Sequence, residues 1–182
     1  MLNQSENELL AKVGPGTPMG EFFRHYWMPA AISEELPEPD GAPLRVRLLG
    51  EDLIAWRNTD GSVGLMQNAC PHRGASMFFG RNEENGLRCV YHGWKFDVTG
   101  ACTDMPNEPA ESNFKHKIHA TAYEVRERGG VLWVWMGRTA APELPAFEWN
   151  LVPAEQVSLS MLVQECNWAQ AVEGGKIGRA HV

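Results

Sequence analysis

The chain has 182 residues, a formal charge of −7 and a hydrophobic content of 43%, enough to bury the core of one domain and part of another. The acidic balance argues against nucleic acid and against an anionic membrane surface as the main partner, because both select basic faces. No apolar run approaches the roughly 20 residues that span a bilayer, and the N-terminus MLNQSENELL is too polar and acidic for a secretory leader. These features predict a soluble, cytoplasmic protein, in which cysteines serve as metal ligands or free thiols more often than as disulfides.

Ser5 and Glu8 have capping-box spacing ahead of Leu9, Leu10 and Val13 and predict a short first helix. The segment VGPGTP interrupts it. Thr17 as N-cap and Pro18 at the first helical position restart a helix through Glu21, Phe22, Phe23, Tyr26 and Trp27. Its aromatics read as packing residues and His25 as structural. Gly14-Pro15-Gly16 lacks the Lys-Ser/Thr ending of a phosphate loop.

After Pro37, Pro39, Gly41 and Pro43 the pattern changes to short strands: 44–49, 53–57, 63–67, 87–91, 94–97, 122–126 and 131–136. Asp60-Gly61 and Gly129-Gly130 stand between strand pairs as hairpin turns do. Many short strands with regular turns predict a mostly β protein, an antiparallel sandwich or barrel. Residues 137–153 read as a Pro-containing linker, followed by a strand at 157–163 and the start of a helix at 167–173.

The chemistry concentrates between Cys70 and Trp94, in the pairs Cys70-Pro71-His72 and Cys89-Val90-Tyr91-His92. Each half offers one thiolate and one imidazole beside a glycine, Gly74 or Gly93. Three readings compete. Buried cysteines and satisfied histidines could stand together by coincidence. A structural zinc site is the second, although zinc fingers supply Cys-Cys and His-His pairs rather than this alternation. The third is a two-iron, two-sulfide cluster with both thiolates on one iron and both imidazoles on the other. Such a cluster is neutral when oxidised, so it accepts an electron more readily than its four-thiolate counterpart, at roughly −150 to +300 mV against about −400 mV. The glycines permit tight loops that aim backbone N–H groups at sulfur.

Sixteen residues, Arg73 to Arg88, separate C-P-H from C-x-Y-H-G-W-x-F. That arrangement resembles the Rieske motif of aromatic-ring-hydroxylating oxygenases. Rieske proteins of respiratory complexes carry an extra cysteine in each loop, where this chain has Gly74 and Tyr91. The opening LLAKVGPGTPMGEFFRHYWMPA resembles the N-terminus of phthalate 4,5-dioxygenase-type α-subunits, and ECNWAQAVEGG the first helix of their catalytic domain.

The resemblance implies a Rieske-type β-domain over 41–150, an N-terminal helical extension over 1–40 and the beginning of an α+β catalytic domain over 151–175. It implies a [2Fe-2S] cluster with Cys70 and Cys89 on the inner iron and His72 and His92 on the outer one. For the parent protein it implies an oxygenase that uses O2 and NAD(P)H-derived electrons, delivered by a flavin/iron–sulfur reductase, to hydroxylate or demethylate an aromatic small molecule. A mononuclear non-haem Fe(II) is implied only for the catalytic domain, whose D-x-x-H-x-x-x-x-H pattern has no counterpart in these residues, so no catalytic residue is assigned here. The family's usual assembly is a homotrimer or a higher homo-oligomer. The alternative is a stand-alone, ferredoxin-like electron carrier.

The tail KIGRAHV, 176–182, departs from the family pattern and reads as translated sequencing adapter rather than native chain. Cys102 and Cys166 have no partner at ligand spacing and read as buried or half-buried free thiols. His116 and His119 read as part of a solvated Lys-rich loop. Asn167 and Glu173 open the last helix, by capping or packing or with a part in the electron path. Arg73, Arg81, Arg88 and Lys95 offer a basic surface to an acidic reductase.

Overall fold

The computed structural model describes residues 2–109 and 111–179. Two antiparallel sheets dominate it. The strands, in chain order, are β1 (Trp27–Ile32), β2 (Leu44–Leu48), β3 (Glu51–Arg57), β4 (Val63–Gln67), β5 (Arg81–Asn82), β6 (Leu87–Arg88), β7 (Lys95–Phe96), β8 (Cys102–Asp104), β9 (Ala122–Arg128) and β10 (Val131–Trp135). The larger sheet runs β1-β10-β9-β4-β3-β2, and β1 comes back against β2 so that the sheet nearly closes into a barrel. The smaller sheet, β5-β6-β7-β8, is inserted between β4 and β9.

The helical ends follow local rules with two corrections. α1 (Gln4–Ala11) is capped by Asn3, whose side chain accepts from the Glu6 N–H while the Glu6 carboxylate accepts from the Asn3 N–H. The capping box therefore lies two residues before the expected Ser5/Glu8 pair. Ser5 donates to the Asn3 oxygen instead, and Glu8 pairs with Lys12. α2 (Pro18–Phe23) opens as expected, with Thr17 Oγ1 accepting from the Gly20 N–H at 3.1 Å. It stops at Phe23, and the chain from Trp27 is β1 rather than helix. Pro29 lacks an N–H for a helix interior and disfavours helix at Met28, whereas an edge strand tolerates it, with a register shift between Pro29 and Ala31. His25 lies exposed in the intervening turn, not packed within a helix.

Seven of the eight expected strands are present, with shorter ends where the chain turns at 89 and 94. Strands β1, β5 and β8 were not expected. The segment 157–163 is not a strand: it has no regular secondary structure, is mostly exposed and has no ladder partner. α3 (Trp168–Arg179) starts at Asn167, whose side-chain oxygen accepts from the Gln170 N–H at 3.0 Å. Trp168 ties α3 to the N-terminal helices, donating to the Leu10 carbonyl at 2.9 Å and packing edge-on against Phe23. Residues 180–182 of the expected foreign tail lie outside the described residues.

The barrel interior is filled by Leu53, Ala55, Leu65, Leu132 and Val134. The opposite face of β3 and β4 supplies Ile54, Trp56 and Met66 to a second core shared with Met77, Leu87 and Phe96 of the insertion. This is the alternation of a strand buried on both sides. Trp56 is fully buried and stands opposite Gly64 in the ladder. A Cβ at Gly64 would overlap its indole, so the glycine makes room for the ring. The indole N–H donates to Asn58 Oδ1 at 2.7 Å, which satisfies its one polar group. Cys70 and Cys89 belong to this second core, so the barrel wall is the floor of the site.

Candidate metal centre

Two turns rise from that floor. The first spans 70–75 between β4 and β5; the second spans 89–94 between β6 and β7. In each, the cysteine N–H donates to the carbonyl five residues on, Cys70 to Ala75 and Cys89 to Trp94, both at 2.9 Å. In each, the glycine N–H donates back to the cysteine carbonyl, Gly74 to Cys70 at 2.8 Å and Gly93 to Cys89 at 3.0 Å. Gly74 and Gly93 close the turns at φ +70° and +77°, where a side chain is penalised. The histidines sit at different places in this shared backbone, His72 two residues after its cysteine and His92 three after.

The turns face one another with like residues together. Cys70 and Cys89 are 3% and 2% exposed, and the two thiols are near enough for Cys89 to raise the Cys70 pKa. The His72 and His92 rings meet with centroids 4.5 Å apart, inclined at 63°. Trp94 of the second turn stacks on His72 of the first at 4.3 Å and 9°. Its indole N–H is fixed by Asn107 Oδ1 at 2.7 Å, and Phe114 covers its edge. Thiols therefore lie inside and imidazoles lie toward the surface, where Val90 and Tyr91 are exposed.

Burial pushes the Cys70 thiol up to about 11, Cys89 adds to the effect, and the backbone N–H groups of His72 and Arg73 directed at its sulfur oppose it. A thiol so placed ionises at neutral pH only when a cation takes the proton's place, as metal ligation does. Burial, followed by His92 and Arg73, lowers the His72 pKa, which favours the neutral imidazole that a metal requires. His72 Nδ1 is buried without a hydrogen-bond partner, so it carries a free lone pair or an unsatisfied proton. Among the described residues no three His, Cys, Asp or Glu side chains are gathered as a site for one metal ion. A thiol pair inside and an imidazole pair outside suit two metals bridged by sulfide, each held by one pair.

Each turn has its own brace. Asn68 braces the exit of the first: its Oδ1 accepts from Ser76 Oγ at 2.9 Å and from the Phe78 N–H at 3.1 Å, both just beyond Ala75. Arg88 holds the second, donating to the Gly93 carbonyl at 2.6 Å, to Asp104 at 2.7 Å and to Glu83. Hydrogen bonds from Arg88 hold the Glu83 and Asp104 carboxyls below the usual range. The sequence reading missed Asn68, Asn107 and Asp104. Asn68 stands just before the first turn, but Asp104 and Asn107 are well beyond the second in sequence, and nothing local names their partners.

The other candidates divide. Arg88 and Lys95 are largely buried in ion pairs with Glu83, Asp104 and Glu84, so they are not part of an open basic surface. Arg73 and Arg81 are exposed, Arg81 beside Glu83. Cys102 is a buried free thiol as expected, whereas Cys166 is an exposed one. His116 and His119 are exposed, consistent with a solvated loop. Asn167 is a helix cap.

Residues 26–132 match the family described as the Rieske [2Fe-2S] domain. Over all 182 residues the chain is 48% identical to the phthalate 4,5-dioxygenase oxygenase subunit of Pseudomonas putida, and covers 41% of that protein. It is 51% identical over 170 residues, 93% of its length, to the 3-chlorobenzoate-3,4-dioxygenase oxygenase subunit of Comamonas testosteroni, and covers 39% of it. The chain thus spans about two fifths of these relatives. A crystal structure of dicamba monooxygenase with non-heme iron and dicamba superposes with a TM-score of 0.63 at 31% identity, over 73% of this chain and 40% of that one. The paired turns, the near-closed antiparallel barrel beneath them and the match over 26–132 lead to one assignment: the chain belongs to the Rieske [2Fe-2S] domain family.

Proposed function

We propose that this chain is the electron-transferring part of an oxygenase component, with Cys70 and Cys89 holding the inner iron of a [2Fe-2S] cluster and His72 and His92 the outer one. The observation that carries the reading is the pairing of the two turns, thiol with thiol in the core and imidazole with imidazole toward the surface. A bound cluster of this type supplies one-electron transfer at a comparatively high potential. The chain's own residues do the rest. The core around Cys70 and Cys89 excludes water from the thiolates, the N–H groups of His72 and Arg73 stabilise charge on sulfur, and Trp94 holds the plane of His72. The outward imidazole edges are the short path between the cluster and a partner.

The wider proposal concerns the parent protein. It is an oxygenase that uses O2 and NAD(P)H-derived electrons to hydroxylate or oxidatively demethylate an aromatic compound, in the cytoplasm, as a homotrimer or higher homo-oligomer. A separate reductase supplies the electrons; both relatives are named as oxygenase subunits, that is, as components of larger systems. Similarity extending well beyond residue 132 supports an oxygenase rather than a free-standing carrier. The N-terminal segment 1–40, the Rieske unit 41–150 and the start of a catalytic domain at 151–175 are the corresponding divisions, although β1 already joins the Rieske sheet.

Reconstitution with iron and sulfide tests the ligand set. The parent chain is expected to take up both and to give a rhombic EPR signal on reduction, and Cys70→Ser and His92→Ala to lose it. Variants that keep the parent's signal would refute the assignment.

A further inference from the structure

We propose that Arg88 is a positioning residue for the cluster: it fixes the second turn from outside and keeps a positive charge beside it. The inference rests on the ligand assignment made above. Arg88 ends β6 and directly precedes Cys89. Its side chain is only 14% exposed, and its guanidinium is committed in three directions. Nε donates to Glu83, and Nη1 donates to Asp104 Oδ2 at 2.7 Å and to the Gly93 carbonyl at 2.6 Å. The Gly93 contact joins the two ends of the turn that presents Cys89 and His92. The Asp104 contact ties that turn to β8, and the Glu83 contact ties it to the β5–β6 connection.

The backbone alone does not fix this turn from both sides. Its internal bonds run from Cys89 N to Trp94 O and from Gly93 N to Cys89 O, which leaves the Gly93 carbonyl to Arg88. Beside the first turn the neutral carboxamide of Asn68 holds Ser76 and Phe78, just beyond the turn, rather than a carbonyl within it. The two braces are not equivalent electrically. Arg88 is a largely buried cation against the second turn, whereas Arg73 of the first is exposed to solvent, and a buried cation there favours the form of the cluster that has gained an electron. A guanidinium suits the task because its planar fork reaches a carbonyl and a carboxylate together, which an ammonium on a flexible stem does not.

The test compares the cluster-loaded parent chain with Arg88→Gln, Arg88→Lys and Asp104→Asn. Three quantities are read: the rate of iron loss to a chelator, the EPR spectrum of the reduced cluster and its midpoint potential. Arg88→Gln is expected to lose iron about 10-fold faster, to shift the EPR signal and to lower the potential. Arg88→Lys is expected to recover the potential with the restored charge while still losing iron faster. Asp104→Asn, which loosens Arg88 without removing it, is expected to lose iron at a rate between those of the parent and Arg88→Gln, and, because it removes a negative charge, not to lower the potential. Glu127→Gln, on β9 and remote from both turns, is expected to change none of the three.

An Arg88→Gln protein with the parent's loss rate, spectrum and potential overturns the proposal. If Arg88→Gln does not fold, unchanged values in both Arg88→Lys and Asp104→Asn overturn it. A faster loss shared equally by Glu127→Gln also overturns it, since general destabilisation would then account for the effect. A parent chain that takes up no iron or sulfide refutes the ligand assignment itself, before any Arg88 variant is compared.

Discussion

The turns at 70–75 and 89–94 share one backbone and differ in what braces it. Both are closed by the same pair of hydrogen bonds and by a glycine at positive φ. Around the first, Gly74 has open space where a Cβ would go; around the second, a Cβ on Gly93 would meet Pro106 Cγ at 2.7 Å. The first is held by a neutral asparagine, the second by a nearly buried arginine and two carboxylates. Trp94, from the second turn, then fixes His72 of the first. The lesson is that the repeated geometry sets which atoms face each other, while the unequal surroundings set how firmly each turn is held. The second turn is the more constrained of the two.

That comparison can be broken in graded ways. The largest effect is expected from the floor beneath both turns: Trp56→Ala should cost about 3–5 kcal/mol in denaturant unfolding, because a fully buried ring leaves a cavity. It should weaken cluster retention as a whole. Gly93→Ala should cost about 2–4 kcal/mol, from left-handed strain plus overlap with Pro106. Gly74→Ala, with strain alone, should cost about 1–2 kcal/mol. Equal costs would show that the two turns are not unequally packed.

Asn68→Ala should cost about 1–3 kcal/mol by leaving the Phe78 N–H and the Ser76 hydroxyl without their acceptor. Amide exchange should then speed up in the first turn and stay unchanged in the second. The smallest effect belongs to Glu127, whose carboxyl is held low chiefly by its hydrogen bonds from Arg57. A carboxyl with a lowered folded pKa stabilises above its unfolded pKa and loses that contribution as pH falls through the folded value. Glu127 is 38% exposed, so Glu127→Gln should cost only about 0.5 kcal/mol at neutral pH. In acid titration of stability the gap between the two proteins should close as pH falls.

The two paired turns were legible because Cys70, His72, Cys89 and His92 stand a few positions apart in each, and Gly74 and Gly93 announced the tight geometry. The strands at 44–48, 63–67 and 131–135 were legible for a similar reason: their apolar residues and flanking turn signals are local. β1 was not, because the run FFRHYW continues the aromatic spacing of α2, and only pairing with β10, a hundred residues on, makes Trp27 a strand residue. β5 and β8 are too short to carry a pattern. The segment 157–163 shows the converse: strand-like composition is not enough without an edge to pair with. The two braces were hidden because Arg88 meets Asp104 sixteen positions away and Asn68 meets Phe78 ten away. Nothing in the sequence near either residue specifies those partners.

The most direct test of the central claim is pulsed EPR of the reduced protein grown with nitrogen-15 histidine. The account predicts two strongly coupled histidine nitrogens on one [2Fe-2S] cluster, with one coupling removed in any cluster that His72→Ala or His92→Ala still assembles. A reduced cluster with no histidine coupling, or with couplings that survive both substitutions, would contradict it.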